Sequence, residues 1–183
     1  MTDQAAGRVL FLDRDGVINV NLGYVHTPEQ TRWVPGIFEL CATAQARGYA
    51  LVIATNQAGI ARGYYDIPAF EAYTHWMHAQ FAQRGIAIAA TLYCPHHPQA
   101  GLGPYTTECG CRKPAPGMFL EAARRYPIDL GRSLLVGDKI SDMRAGHAAG
   151  LGGLFLLSGD TGDGILPRTV MLVPDLAAVL QYL

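Results

Sequence analysis

The sequence predicts an α/β fold on a parallel sheet, and two observations carry that expectation. Short apolar runs alternate with segments of helical pattern along the chain. Motifs rich in Asp, Thr, Asn and Lys follow directly after the apolar runs, where parallel α/β sheets gather their ligands.

The first run, residues 9–12, is a short strand that leads straight into charge. Pro35 and Gly36 open a helix over residues 37–47, and Gly48 supplies its C-cap. Residues 50–54 form a buried strand. Residues 67–84 form a long helix, with Pro68 tolerated in its first turn and Gly85 past its end. Residues 88–93 read as strand, 116–126 as helix, 133–136 as strand, 140–149 as helix and 153–157 as strand. Residues 170–173 give a last strand and 174–183 a last helix.

With 183 residues, 50% of them hydrophobic, the chain suits a single domain over residues 1–183 with a true core. Fourteen basic against fifteen acidic side chains leave a net charge of −1, which argues against a nucleic-acid partner. The start of the chain lacks a basic segment followed by an apolar one, and no apolar window reaches about 18 residues, so a cytoplasmic protein with no membrane partner is expected. Nothing in the composition calls for an oligomer, and a monomer is expected.

Four polar motifs stand at the expected strand ends. Asp13-Arg14-Asp15-Gly16 places two carboxylates where they repel each other without a cation; a plain polar turn is the alternative. Thr55-Asn56-Gln57 brings a hydroxyl and two amides that can donate to an anion, or that make ordinary Asx turns. Arg112-Lys113-Pro114 is a phosphate clamp or a solvated cation pair. Gly137-Asp138-Lys139 adds a carboxylate suited to Mg²⁺; Asp142 joins that site or caps the next helix.

Three of the four cysteines fall within residues 94–111. Cys94-Pro95-His96 and, after 12 residues, Cys109-Gly110-Cys111 match a structural Cys₃His zinc site within a loop at about residues 93–113. A redox pair and a set of buried thiols are the other readings, and the adjacent His97 is an alternative imidazole ligand. The intervening segment is rich in Gly and Pro and packs no core of its own, so a metal staple suits it. Cys41, flanked by apolar residues in a helix, reads as a small core hydrophobe; His75, His78, His147, Trp33 and Trp76 read as surface or packing residues.

In order and placement these motifs resemble the haloacid dehalogenase-like (HAD) phosphatases across nearly the whole chain. The resemblance implies a three-layer α/β/α Rossmann-like HAD fold. It implies Asp13 as nucleophile, already ionised near neutral pH, and Asp15 as general acid and base. Thr55 and Lys113 would hold the transferring oxygens. Mg²⁺ would sit on Asp13, Asp138 and the backbone carbonyl of Asp15. Asp15 and Thr55 are 40 positions apart, and 55 residues lie between Gln57 and Lys113. Neither stretch holds a large cap domain, so short loops are expected to choose the substrate.

Within that superfamily the chain is similar to the heptose-1,7-bisphosphate 7-phosphatase family. The similarity rests on Asp13-Arg14-Asp15-Gly16-Val17-Ile18-Asn19, Gly23-Tyr24-Val25-His26, Thr55-Asn56-Gln57-Ala58-Gly59-Ile60-Ala61-Arg62-Gly63, Tyr93-Cys94-Pro95-His96-His97-Pro98, Cys109-Gly110-Cys111-Arg112-Lys113-Pro114 and Gly137-Asp138-Lys139. It implies a phosphorylated sugar substrate held by Asn21, Leu22, Gly23, Tyr24, Thr55, Asn56, Gln57, Arg112, Lys113 and Lys139. Asn21 and Leu22 stand where that family often has an acidic residue and a histidine. Histidinol-phosphate phosphatases share the zinc loop and the Arg-Lys-Pro stretch but differ at Gly23–His26 and 59–63. A zinc-knuckle binding module lacks support, because aromatic residues are not interleaved with Lys or Arg.

Overall fold

The computed structural model describes residues 7–157, 167 and 169–183. Six strands form one parallel sheet: β1 (Arg8–Leu12), β2 (Tyr49–Asn56), β3 (Ile88–Cys94), β4 (Leu134–Gly137), β5 (Gly153–Leu157) and β6 (Val170–Val173). Their order across the sheet is β3-β2-β1-β4-β5-β6. The chain winds outward from β1 in one direction, then crosses back to β4 on the other side. The switch point therefore lies between β1 and β4, and the crevice beyond their carboxyl ends is where such a sheet places its ligand. The Asp13 amide still donates to the Val136 carbonyl at 3.0 Å, so the sheet pairing delivers the first carboxylate to that crevice.

Helices cover both faces. Among the described residues five are α-helical: α1 (Ile37–Ala46), α2 (Ala58–Ala61), α3 (Ile67–Ala82), α4 (Gly117–Arg125) and α5 (Ile140–Ala149). Side chains alternate along β1. Leu10 and Leu12 pack with Leu40 and Cys41 of α1 and Met77 and Phe81 of α3. Val9 and Phe11 pack on the other face with Phe119 of α4 and Met143 of α5. This alternation gives the three layers of the expected α/β/α architecture.

Local signals explain most boundaries. Asp66 caps α3 by accepting from the Ala69 amide at 2.8 Å, and Pro68 sits harmlessly in the first turn. Gly48 follows α1 with φ 82°, a left-handed conformation that favours glycine. β2 runs on through Thr55 and Asn56, which pair with Tyr93 and Cys94, so these two polar residues belong to the strand and not to the turn after it. α2 carries no periodic sequence signal because it is a single turn.

The C-terminal segment corrects an expectation. In place of an α-helix over residues 174–183, a 3-10 helix spans Ala177–Tyr182. Leu176 and Val179 are buried and Tyr182 packs on Phe155 at 5.1 Å. That spacing of three suits three residues per turn and places the three side chains along one line.

Phe119 is fully buried and meets Phe11 edge-on at 5.0 Å. Phe119→Ala should lower the unfolding free energy by about 3–5 kcal/mol, measured by urea denaturation. A loss under about 1 kcal/mol would show that α4 is not fastened to the sheet through this ring.

Candidate active site and metal centres

A cleft of about 410 Å³ opens at the carboxyl edge of the sheet and is lined by Asp13, Asp15, Thr55, Gln57, Arg112 and Lys113 among others. Asn21, Gly23, Tyr24, Asn56 and Lys139 also line it. Leu22 does not, and its side chain points into solvent with 59% of its surface exposed.

The centre of the cleft is an ion cluster. The Lys113 ammonium lies 3.0 Å from Asp13 Oδ1 and 2.6 Å from Asp142 Oδ1, and it donates to the Ala54 carbonyl at 2.8 Å. All three residues of the ion cluster are buried. Burial favours the neutral acid of Asp13, but the Lys113 charge and hydrogen bond and the Arg14 amide outweigh it, so its carboxyl stays below the ordinary range. Burial also opposes the charge on Lys113, and Asp13 and Asp142 more than reverse this, holding the ammonium charged. Asp142 therefore does two jobs that sequence spacing alone left open. Its Oδ2 accepts from the Lys139 amide at 3.0 Å and caps α5, while its Oδ1 takes the lysine.

Asp13, Asp138 and Asp142 offer carboxylate oxygens within 4.8 Å of one another. Asp142 is already committed to Lys113. Asp138 Oδ1 is buried without a hydrogen-bond partner among the described residues. Burial and the Asp13 charge, with Asp142 adding and Lys139 opposing, push the Asp138 carboxyl up to about 7. An orphaned carboxylate oxygen beside a second carboxylate fits a hard divalent cation. Gly16 makes the approach possible: it turns the chain at φ 99°, and a Cβ there would stand 2.2 Å from Asp138 Oδ2.

Asp15 lies across the cleft. Its Oδ2 accepts from Arg14 Nη2 at 2.7 Å and Gln57 Nε2 at 3.3 Å, and its Oδ1 from Asn19 Nδ2 at 2.9 Å. Arg14 is itself buried and also donates to the Val25 carbonyl at 2.6 Å. Thr55 Oγ1 accepts from Gln57 Nε2 at 2.8 Å. The Asn56 amide exchanges two 3.0 Å hydrogen bonds with the backbone of Lys113, extending β2 sideways into the loop that carries the lysine.

That loop is held by the cysteine cluster. Cys94, His96, Cys109 and Cys111 bring three sulfurs and one imidazole nitrogen within 4.8 Å of one another. The sulfurs of Cys94 and Cys111 lie 3.4 and 3.2 Å from that of Cys109, and His96 Nδ1 is 3.8 Å from Cys94 Sγ and 3.6 Å from Cys111 Sγ. A tetrahedral zinc with about 2.3 Å bonds to sulfur and about 2.0 Å to nitrogen has edges of roughly 3.8 and 3.6 Å, close to these separations. All three thiols are free. Burial and its thiol neighbours push the Cys94 thiol up, whereas hydrogen bonds from Cys111, Cys94 and two backbone amides overcome burial at Cys109 and pull it down. The donor set fits zinc. His97 takes no part, for its Nδ1 accepts from the amides of Gln99 and Ala100 at 3.2 and 2.9 Å. Arg112 Nη1 donates to the His96 carbonyl at 3.0 Å, tying the first cleft cation to the cluster. Cys41 stays apart in the core, its thiol pushed up to about 12 by burial.

Sequence reading passed over three contributors. Ser141 and Tyr65 line the cleft, and Arg14 braces Asp15 from behind. An arginine caught between two aspartates at a strand end was a legible signal. Tyr65 had none, because it reaches the site only through the turn of α2.

Residues 110–179 match the HAD-hydrolase-like family model. The chain is 50% identical over 143 residues to the D-glycero-beta-D-manno-heptose-1,7-bisphosphate 7-phosphatase of Vibrio cholerae, covering 78% of this chain and 77% of that protein. It is 50% identical over 150 residues to the D-glycero-alpha-D-manno-heptose-1,7-bisphosphate 7-phosphatase of Burkholderia mallei, covering 82% and 79%. Among solved structures, the D,D-heptose 1,7-bisphosphate phosphatase from B. bronchiseptica, complexed with magnesium and phosphate, superposes with a TM-score of 0.84 at 36% identity, over 96% of this chain and 97% of that one. The fold, the cleft and these relatives agree, and the chain belongs to the heptose-1,7-bisphosphate 7-phosphatase family of HAD-like hydrolases.

Proposed function

We propose that this protein is a magnesium-dependent phosphomonoesterase that removes the 7-phosphate of D-glycero-D-manno-heptose 1,7-bisphosphate, a cytoplasmic step toward the nucleotide-activated heptose of lipopolysaccharide. The observation that carries the reading is the pairing of an ionised Asp13, held by Lys113, with Asp15 across the same cleft. The identity of the substrate rests on the relatives' names.

In this reading an Asp13 carboxylate oxygen attacks phosphorus, and the bond from phosphorus to the sugar oxygen breaks. Asp15 gives its proton to that oxygen as it leaves. Asp15 then takes a proton from water, the water oxygen bonds to phosphorus, and the acyl-phosphate bond breaks to restore Asp13 and release phosphate. Lys113 and the Thr55 hydroxyl offset the charge spread over the transferring oxygens. Arg112, at the rim, is a planar donor suited to the second phosphate of a bisphosphate. Asp13 and Asp138 would hold Mg²⁺, with the Asp15 carbonyl as third ligand. When bound, that ion shields the anionic nucleophile from the anionic phosphate. Cys94, His96, Cys109 and Cys111 would hold a structural zinc, which keeps Arg112 and Lys113 at the cleft. As a single domain without a large cap, the protein selects its sugar through the loop of residues 19–26.

Activity measurements test the substrate. Both anomers of the heptose bisphosphate should be offered, since the two relatives at 50% identity are named for opposite anomers. At least one should exceed histidinol phosphate in kcat/KM by about tenfold or more, and Asp13→Asn should abolish at least about 10⁴-fold of that activity. A preference for histidinol phosphate sinks the substrate, and a fully active Asp13→Asn sinks the nucleophile.

The Asp138 carboxyl, raised from 3.8 to about 7, makes a second expectation. Because the folded state holds this proton more tightly than the unfolded chain, burying the group costs stability progressively as pH rises from about 4 to about 7. A cation that replaces the proton gains most above that range. The rise in Tm on adding Mg²⁺ should be larger at about pH 8 than at about pH 6; equal rises would remove Asp138 from the metal site.

For zinc, elemental analysis of the purified protein should find about one equivalent, and a strong chelator should lower Tm and activity together. Zinc-free protein with an unchanged Tm after chelation would contradict a structural metal.

A further inference from the structure

Tyr65 lines the cleft, 7% exposed, with its hydroxyl donating to Gln57 Oε1 at 2.6 Å. With its oxygen taken, the Gln57 amide has one orientation: its Nε2 turns to Asp15 Oδ2 at 3.3 Å and to Thr55 Oγ1 at 2.8 Å. Flipped, the amide would aim a carbonyl oxygen at the Asp15 carboxylate. Burial pushes the phenol up to about 12, so it remains a neutral donor. The ring is fixed from two further sides. His26 of the 19–26 loop stacks on it at 4.6 Å and 19°, and Gly59 of α2 lies so close that a Cβ there would stand 2.3 Å from Tyr65 Cε1. Asp15 Oδ2 is thus committed to Arg14 and Gln57, while Oδ1 accepts, among the described residues, from Asn19 alone and keeps a lone pair for the cleft.

We propose that Tyr65 is a positioning residue for proton transfer: acting through Gln57, it holds Asp15 turned so that Oδ1 faces the leaving oxygen. The proposal rests on the reading of Asp15 as general acid. Arg14 and Asn19 still brace Asp15 when the hydroxyl is gone, so the effect is partial.

A general acid matters to a poor leaving group and hardly at all to a good one. The test compares kcat/KM on the heptose bisphosphate, whose leaving group is a sugar alkoxide, with kcat/KM on p-nitrophenyl phosphate, whose leaving group departs unprotonated. Tyr65→Phe should lower the first by about tenfold, the worth of one well-placed hydrogen bond, and the second by less than about threefold. Asp15→Asn should show the same asymmetry, only larger. Gly59→Ala keeps the hydroxyl but displaces the ring, and should reproduce the Tyr65→Phe pattern if that variant folds poorly. Equal losses on both substrates would mean that the hydroxyl serves Thr55 or the fold, and would overturn the proposal, as would no loss on either. If Asp15→Asn itself lacks the asymmetry, the general-acid reading fails and the inference falls with it; an asymmetric Asp15→Asn beside a symmetric Tyr65→Phe defeats the inference alone.

Discussion

A lysine ammonium buried at the edge of a sheet needs three acceptors, and the site is arranged around that demand. Lys113 finds Asp13 from the end of β1, Asp142 from α5 and the Ala54 carbonyl from β2. Each acceptor comes from a different element, so the position of the lysine fixes the relative placement of all three. The cluster nevertheless carries excess negative charge. Asp13 and Asp142 balance Lys113 with one charge over, and Asp138 adds its own carboxyl with one oxygen unpartnered. A buried charge without a partner is costly. The same feature fits the site to the divalent cation of the proposed reaction.

Lys113 can serve as this hub only if its backbone is rigid, and its surroundings lack apolar residues to pack. Two devices supply the rigidity. Asn56 pairs its amide with the Lys113 backbone in both directions, as a further strand residue would. The cysteine cluster ends at Cys111, two residues before the lysine, and Arg112 bonds back to the His96 carbonyl. Three thiols, two of them within 3.4 Å of the third at Cys109, cannot all ionise in the absence of a cation, which is why burial and mutual contact move their affinities for protons in opposite directions. The polar loop trades a hydrophobic core for a donor set.

Much of this was legible in the residues. Strands with continuous apolar runs, such as Val9 to Leu12 and Gly153–Leu157, announce burial on both faces, and a parallel sheet then dictates that whatever follows them meets at one edge. Asp13, Thr55 and Asp138 could be placed together on that ground, whereas Lys113 arrives only after the cysteine loop, nineteen residues beyond β3. Roles that depend on the direction of a side chain could not. Nothing in the spacing shows that the Asn56 amide turns to a backbone, that Leu22 leaves the cleft while Asn21 and Gly23 stay, or that Asp142 caps a helix with one oxygen and grips a lysine with the other. The C-terminal turn was misjudged for a related reason: its apolar residues repeat at three, and a repeat of three in so short a segment looks like the start of a helix with a period of 3.6.

In the proposed reading, the loop of residues 19–26 couples recognition to chemistry without a large lid. Arg14 reaches from between Asp13 and Asp15 to the Val25 carbonyl, and Asn19 spans from the loop to Asp15. At its far end His26 stacks on Tyr65, whose hydroxyl orients Gln57. This loop thus rests, from both ends, on the groups that set the orientation of Asp15. Under that proposal, a substrate that shifts this loop would act on Asp15 through hydrogen bonds of 2.6–3.3 Å. Under the same proposal, this local bracing keeps the proton donor in line without a closing domain.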